Sequence, residues 1–183
     1  MGRQRSIDRD RVLDVAEEIV ASQGAAGLTI DSVAKAMGIS KGGVQYCFGS
    51  KDALIDAMYD RWGKAYDEVF NQIAGQDPSP LTTVRAHSQA TRSSDQASSA
   101  KAAGLMAALI QTPEHLTSTR KWYRERIERL DLTTEEGRRA RLAFLATEGA
   151  FMLRFFGLMD IEQQEWESIF DDMQHYILDA AAK

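Results

Sequence analysis

Polar groups that could recognise a nucleic acid cluster between residues 29 and 51 of this 183-residue chain. Hydroxyls and free N–H groups at helix starts suit phosphate, lysines pair with it, and a glutamine amide can bond bidentately to an adenine edge. The segment offers all of these groups on seven residues, which are the candidate DNA contacts: Thr29, Ser40, Lys41, Gly42, Gln45, Tyr46 and Lys51.

Two short helices joined by a tight turn are predicted to position these groups. Apolar residues recur at helical spacing within 30–37, and Gly38 can adopt the positive φ that ends such a helix. Ser40 can N-cap a second helix that buries Val44, while Ala34 is small enough for the two helices to cross closely. This pattern predicts a helix-turn-helix whose second helix lies in a major groove.

The same segment contains a set of short motifs: Leu28-Thr29-Ile30, Val33-Ala34, Gly38-Ile39-Ser40-Lys41-Gly42, Tyr46, Phe48 and Ser50-Lys51-Asp52-Ala53-Leu54. In these motifs, over about residues 8 to 60, the chain resembles the tetracycline-repressor (TetR) family of bacterial transcription regulators. The family usually has Tyr-His-Phe where this chain has Tyr46-Cys47-Phe48, so its histidine phosphate contact has no counterpart here.

Several of these residues keep more than one interpretation. Thr29 can N-cap its helix, contact phosphate or do both. Gly42 and Gly43 lower helix propensity, which favours close backbone approach to DNA or a helix that firms up on binding. A basic N-terminus of Arg3, Arg5 and Arg9 forms either a minor-groove arm or a solvated terminus.

Composition limits the class of protein. The net charge of −5 divides unevenly, because residues 1–51 carry seven Lys/Arg against six Asp/Glu and the acidity belongs to the rest. The chain shows no signal peptide and no apolar run long enough to span a membrane, so we expect a cytoplasmic protein with no membrane partner. One cysteine and three scattered histidines give no metal-site spacing, and no cofactor is expected.

Helical periodicity without sustained alternation predicts an all-α fold of about nine helices. We expect a DNA-binding domain at 1–51 and a ligand-binding and dimerisation domain at 52–183. The fourth helix should run from an N-cap at Ser50 to Gly75 and connect the two domains. Later helices are predicted from 112 to 130, from a capping box at 133–136 to about 156, and from 160 to about 181.

The resemblance also implies a homodimer formed by the last two helices and an effector cavity among the middle ones. Aromatic, methionine and acidic residues from the fourth, sixth, seventh and eighth helices are the candidate lining: Trp62, Tyr66, Met106, Tyr123, Glu148, Phe151 and Met152. Glu148 lies in an apolar run, where a carboxylate needs a partner. Either Arg141, Arg154 or a partner chain supplies it, or a cationic or hydroxylated ligand does.

These observations predict a DNA-binding transcriptional regulator, a homodimeric repressor that binds double-stranded operator DNA and is relieved by a small-molecule effector. The alternative is a DNA-bound protein whose C-terminal domain answers to a protein partner. A closed apolar cavity would favour the first, and an exposed apolar patch over a filled core the second. No catalytic constellation is present in the sequence, so an enzyme is not expected.

Overall fold

The computed structural model describes residues 7–179, and this part of the chain is all-α, as predicted. It contains nine α-helices, a 3₁₀ turn at Pro113–His115 and a π-helical segment at Met173–Leu178. The α-helices are α1 Arg9–Gly27, α2 Ile30–Met37, α3 Lys41–Phe48, α4 Lys51–Ala74, α5 Pro80–Ser93, α6 Gln96–Leu109, α7 Thr117–Ile127, α8 Glu135–Phe155 and α9 Gln163–Asp172.

The described residues form two compact units. The first contains 7–62 and 104–117, and the second contains 63–103 and 118–179, so the division falls within α4. The predicted domain boundary after residue 51 stays a proposal. None of the helices within 7–179 is both long and apolar enough to cross a membrane.

The first unit is built around α1, α2, α3 and the start of α4. Asp8 caps α1 by accepting from the backbone N–H groups of Asp10 and Arg11. Gly24, with φ of 70°, interrupts that helix. Fully buried apolar side chains from all four helices make the core: Val12, Ala16, Val33, Val44, Leu54 and Met58.

Helix α4 begins and ends where the sequence predicts. The backbone N–H of Ala53 donates to Ser50 Oγ at 3.1 Å, as an N-cap requires. Gly75 follows the last helical residue with φ of 66°. Twenty-four residues at about 1.5 Å each give a helix of about 36 Å.

The single helix predicted from 112 to 130 is wrong. Pro113–His115 forms a 3₁₀ turn closed by a bond from the His115 N–H to the Thr112 carbonyl, and α7 starts only at Thr117. The backbone at Leu116 (φ −94°, ψ 8°) separates the two elements. The residues Thr117, Ser118 and Thr119 that open α7 have hydroxyl side chains that favour helix starts over interiors.

The predicted starts of the last two helices also differ from the structure. Thr133 bonds to Asp131 through both its N–H and its hydroxyl, so Thr134 becomes the N-cap of α8 and accepts from the Gly137 N–H. Glu162 precedes α9 without a side-chain capping bond. Regular α-helix then ends at Asp172 and widens into the π-helical segment, and the predicted end near residue 181 lies outside the described residues.

The second unit has two apolar clusters. One contains Val84 of α5 with Ala143 and Phe144 of α8. The other contains Trp166 and Phe170 of α9 against α8, with Phe151 and Phe155 packed on it. Helix α8 therefore contributes to both clusters.

Candidate functional site

The helix-turn-helix has the geometry that the sequence predicts. Thr29 Oγ1 accepts from the Ser32 N–H at 2.9 Å, and Ser32 Oγ accepts from the Thr29 N–H at 2.9 Å, which closes a capping box around α2. Gly38 is left-handed (φ 65°, ψ 32°), and Ser40 caps α3 by accepting from the Gly43 N–H. The turn between α2 and α3 is thus fixed at both ends.

Helix α3 divides into a buried and an exposed side. Val44 and Phe48 are buried, which anchors the helix on the core of the first unit. Lys41 and Gln45 are exposed, and Tyr46 is 91% exposed. An exposed tyrosine beside a lysine and a glutamine on one short helix gives a surface with phosphate-binding and base-reading groups.

Lys51, at the start of α4, has a partner within the first unit. Its Nζ donates to the Ala25 carbonyl oxygen at 2.9 Å, and the side chain is half-buried. Burial lowers the pKa of the ammonium group, while Glu114 and Asp52 raise it to a smaller extent. The lysine therefore fastens the end of α1 to the start of α4, and its predicted phosphate contact stays a prediction.

The two glycines at the start of α3 differ in their surroundings. A Cβ at Gly43 would lie 2.7 Å from Ile7 Cδ1, so the absence of a side chain makes room for the residue ahead of α1. A Cβ at Gly42 would meet only Ser40 Oγ, at 4.0 Å. Packing therefore explains the glycine at position 43 but not the one at position 42, whose backbone is exposed.

The basic N-terminus is described only from Ile7 onward, so Arg3 and Arg5 lie outside the described residues. Arg9 Nη1 donates to the Cys47 carbonyl oxygen at 2.6 Å, and its guanidinium lies 4.5 Å from the centre of the Phe48 ring. Arg9 thus binds the C-terminal end of α3, an interaction that the sequence analysis did not foresee. The Cys47 side chain is half-buried.

Two of the candidate effector-lining residues belong to the first unit. Trp62 is 9% exposed, donates from Nε1 to Glu17 Oε1 at 2.9 Å and packs edge-on against Tyr59. Met106 is half-buried on α6. A lining role for either residue stays a prediction.

The second unit contains a chain of hydrogen bonds through a buried histidine. Tyr66 Oη lies 2.8 Å from His87 Nδ1, and His87 Nε2 lies 2.8 Å from Glu148 Oε1. His87 is 1% exposed and the Glu148 side chain 12%. Of the partners expected for Glu148, Arg141 and Arg154 are wrong, because the packing of α5 on α8 brings a histidine 61 residues away to the carboxylate. A partner chain or a ligand as a further contact stays a prediction.

Arg126 of α7 completes this chain. Its Nε donates to Tyr66 Oη at 3.5 Å, so the hydroxyl that lies next to His87 Nδ1 also accepts from a cation. The imidazole joins this hydroxyl to the Glu148 carboxylate, with one ring nitrogen facing each group. Burial raises the pKa of Tyr66 to about 12, with Arg126 opposing and Glu148 adding to the shift.

Aromatic rings surround the same chain. The Arg126 guanidinium lies 4.1 Å from the Trp122 ring centre and 4.6 Å from that of Phe70. Tyr66 stacks on Phe70 with ring centres 5.9 Å apart, and the Tyr66 and Trp122 ring centres are 5.7 Å apart. We call Tyr66, Phe70 and Trp122 the aromatic cage. Sequence analysis missed Arg126, although its position four residues after Trp122 places both on one helix face.

The other candidate lining residues of the second unit lie on α7 and α8. Tyr123 is half-buried and contacts Trp122 and Phe144 edge-on. Phe151 packs against Phe155 with ring centres 5.0 Å apart, and Met152 is half-buried. A surface cavity of about 310 Å³ in this unit is lined instead by Leu81, Arg85, Glu136, Arg139, Ile177, Leu178 and Asp179.

Helix α8 also presents apolar side chains to solvent. Leu142 and Leu145 are each 55% exposed, and Leu153 is 37% exposed. A Cβ on the neighbouring Gly149 would meet nothing within 4 Å. We call these four residues the α8 apolar face.

Comparison with known proteins identifies the class of protein that this fold and helix-turn-helix define. Residues 12–58 match the family model described as bacterial regulatory proteins of the tetR family. Residues 81–177, more than half of the chain, match the model described as the tetracyclin repressor-like C-terminal domain. The chain belongs to the TetR family of transcriptional regulators.

One curated relative is an uncharacterised helix-turn-helix transcriptional regulator in the dhlA 5′ region of Xanthobacter autotrophicus. It is 41% identical over 61 residues, which cover 33% of this chain and 30% of the relative. The match therefore spans about a third of this chain and less than a third of the relative's length.

Solved structures share the fold over nearly the whole chain. NalD of Pseudomonas aeruginosa, described as the secondary repressor of the MexAB-OprM multidrug efflux pump, has a TM-score of 0.63 at 17% identity and covers 94% of this chain and 96% of its own. The multidrug binding protein EbrR, solved with imidazole, has a TM-score of 0.61 at 21% identity, with coverage of 96% and 92%. A transcriptional regulator from Rhodococcus sp. Rha1 has a TM-score of 0.59 at 21% identity and covers 96% and 100%.

Proposed function

We propose that this protein is a homodimeric repressor that binds a pseudo-palindromic operator through α3 and releases it when a small molecule binds the second unit. The observation that carries the proposal is that α3 has one buried apolar side and one exposed polar side. Its apolar residues are buried in the first unit, while Lys41, Gln45 and Tyr46 are exposed.

Each candidate DNA contact has a distinct role in this proposal. Gln45 reads a base edge, because its amide can donate and accept at the same time. Lys41 and Tyr46 contact phosphates on either side of the groove, and Thr29 offers its hydroxyl at the N-terminus of α2. The exposed backbone of Gly42 and the Ser40 hydroxyl lie at the N-terminus of α3, where a phosphate is also favoured.

The α8 apolar face supports the dimer. Three leucines and an open glycine on one helix form a surface that a second copy of the chain would bury by helix packing. A two-fold dimer would present two α3 helices to successive major grooves about 34 Å apart. The same symmetry explains why the operator is expected to be pseudo-palindromic.

Control by a small molecule is supported by the chemistry of the second unit. Polar groups that end on a carboxylate lie among aromatic rings, which is the composition of a ligand site. NalD is described as a repressor and EbrR as a multidrug binding protein, and both share this fold. A coupling of about 1–3 kcal/mol between effector and operator would suffice for regulation.

Footprinting on the promoter region beside the protein's own gene tests the operator part of the proposal. The expected result is two protected half-sites about one helical turn apart, centre to centre. Gln45→Ala is the matched variant, since it should relax the sequence preference while the fold is kept. Equal protection of scrambled DNA by the unmodified protein would contradict operator recognition.

The mode of control needs a separate measurement. Protein–operator complexes are challenged with a small-molecule library and, in parallel, with protein fractions from the host. Release by a small molecule supports the effector proposal. Release only by a protein fraction would support the alternative, in which the second unit answers to a protein partner.

A further inference from the structure

The second unit contains a cation and an anion that are not paired with each other. Among residues 7–179, Arg126 has no carboxylate partner, and its one hydrogen bond, to Tyr66, is long at 3.5 Å. Within the same residues, the Glu148 side chain has a single hydrogen-bond partner, the imidazole of His87. Arg126 therefore has no carboxylate against it, and the group bonded to Glu148 is an imidazole and not a guanidinium or ammonium.

Arg126 is held mainly by ring faces. Its guanidinium lies between Trp122 and Phe70, with Tyr66 beside both rings. The faces of aromatic rings attract cations in general, so a cation other than this guanidinium can also bind them. The side chain is half-buried, so part of it is already in contact with water.

Glu148 favours a cation over a neutral compound in the cage. Its carboxylate joins the cage through His87 and Tyr66, and it is 12% exposed. A cage that lost Arg126 would retain three electron-rich ring faces and a nearby negative charge. A neutral ring compound would gain only the apolar contact with the rings. A cation would gain that contact and also the electrostatic attraction of the ring faces and the carboxylate.

We propose that the aromatic cage of Tyr66, Phe70 and Trp122 is a binding site for a planar organic cation, such as an amidinium, guanidinium or aromatic ammonium compound. The cation enters by displacing the guanidinium of Arg126, which acts as an internal competitor. Glu148 selects cations over neutral compounds of the same shape. This inference rests on the proposed effector control and names the class of effector.

Benzamidine and benzamide are the probes, because they have nearly the same size and only benzamidine carries an amidinium charge. Calorimetric titration of the full-length protein without DNA measures both affinities. Arg126→Gln should bind benzamidine about tenfold more tightly than the unmodified protein, because the competing cation–π contacts are lost. Arg124→Gln is the control, since it removes the same charge from an exposed position of the same helix.

Two further variants test the remaining parts of the site. Glu148→Gln should weaken benzamidine several-fold and leave benzamide unchanged, and Trp122→Leu should weaken benzamidine in the Arg126→Gln background. Circular dichroism and the melting temperature establish that each variant is folded. If Arg126→Gln does not fold, Arg126→Lys replaces it, because an ammonium stacks less well on the rings and should also tighten benzamidine.

The results separate this inference from the proposed function. Equal affinities of Arg126→Gln and Arg124→Gln for benzamidine, or equal binding of benzamide and benzamidine, would overturn the cage. Binding that leaves the operator complex intact would confirm the cage and overturn its regulatory use. Failure of the protein to bind any operator would refute the proposed function and leave the titration result standing.

Discussion

The Nζ of Lys51 donates to the carbonyl oxygen of Ala25 at 2.9 Å. This bond joins the last residues of α1 to the first residue of α4, on either side of the helix-turn-helix. A lysine that the sequence assigned to DNA thus also has a structural role. Mutation of Lys51 should therefore affect both DNA binding and protein stability, whereas mutation of the exposed Gln45 should affect only DNA binding.

We predict that Gln45→Ala lowers discrimination between specific and scrambled duplexes by about 1–3 kcal/mol, because base readout is lost. Lys51→Ala should weaken both duplexes alike. It should also lower the free energy of unfolding by about 1 kcal/mol, because the Ala25 carbonyl loses its donor. Binding isotherms and urea unfolding measure these effects, and equal losses of discrimination from the two changes would contradict the assigned roles.

The adjacent glycines of α3 allow a matched comparison. Gly42→Ala should raise the free energy of unfolding by up to about 1 kcal/mol, because alanine favours helix and its Cβ meets open space. Gly43→Ala should gain less or lose stability, since Ile7 must shift away from the new methyl group. Thermal unfolding of the two variants tests the difference.

Operator affinity gives the same pair a second readout. If the exposed Gly42 backbone approaches phosphate, Gly42→Ala weakens DNA binding even though the protein becomes more stable. An unchanged operator affinity would assign Gly42 no part in the DNA contact. Gly43→Ala is the reference for effects that come only from repacking.

Much of the first unit could be predicted from the sequence because its determinants are local. Thr29, Gly38, Ser40 and Ser50 act within three residues of their own positions, as caps or as a left-handed turn residue. Short-range patterns of this kind can be recognised from the sequence alone. The all-α class could be predicted from the helical spacing of the apolar residues.

The errors came from contacts over long sequence distances or from competing local bonds. The Glu148 partner His87 is 61 residues away, and no periodicity in either helix indicates that pairing. The start of α8 shifted by one residue because Asp131 captured Thr133. Arg126 and the contacts of Arg9 within the first unit were not predicted, because contacts with ring faces leave no spacing signature in the sequence.

Assembly can be tested on the α8 apolar face. A Cβ at Gly149 meets nothing within 4 Å in the isolated chain, so Gly149→Trp has room to fold as a monomer and should disrupt a dimer that buries this face. Light scattering at micromolar concentration should give a dimer for the unmodified protein and a monomer for the variant. Leu132→Arg, which changes an exposed leucine in the loop before α8, is the control.

The size of the interface gives this prediction a stricter form. An obligate dimer should bury well over about 1,500 Å² in total, so its dissociation should accompany a loss of stability that depends on protein concentration. A stable monomer of the unmodified protein at micromolar concentration would rule out the dimer. A dimeric Gly149→Trp would move the interface away from the α8 apolar face.

The last prediction concerns alkaline pH and the buried hydroxyl of Tyr66. Burial raises its pKa to about 12 in the folded protein, against about 10 in an unfolded chain. Between these values the folded state holds a proton that the unfolded state has lost, so stability is full below about pH 10 and falls as pH rises toward 12. The slope can approach about 1.4 kcal/mol per pH unit.

Urea unfolding of Tyr66→Phe between about pH 9 and 11.5 should show a shallower decline than the unmodified protein, although its stability at neutral pH is lower because His87 loses a hydrogen bond. Tyr46→Phe, which alters a side chain that is 91% exposed, should leave the slope unchanged. Identical slopes for Tyr66→Phe and the unmodified protein would mean that the hydroxyl ionises as readily in the folded state as in the unfolded one.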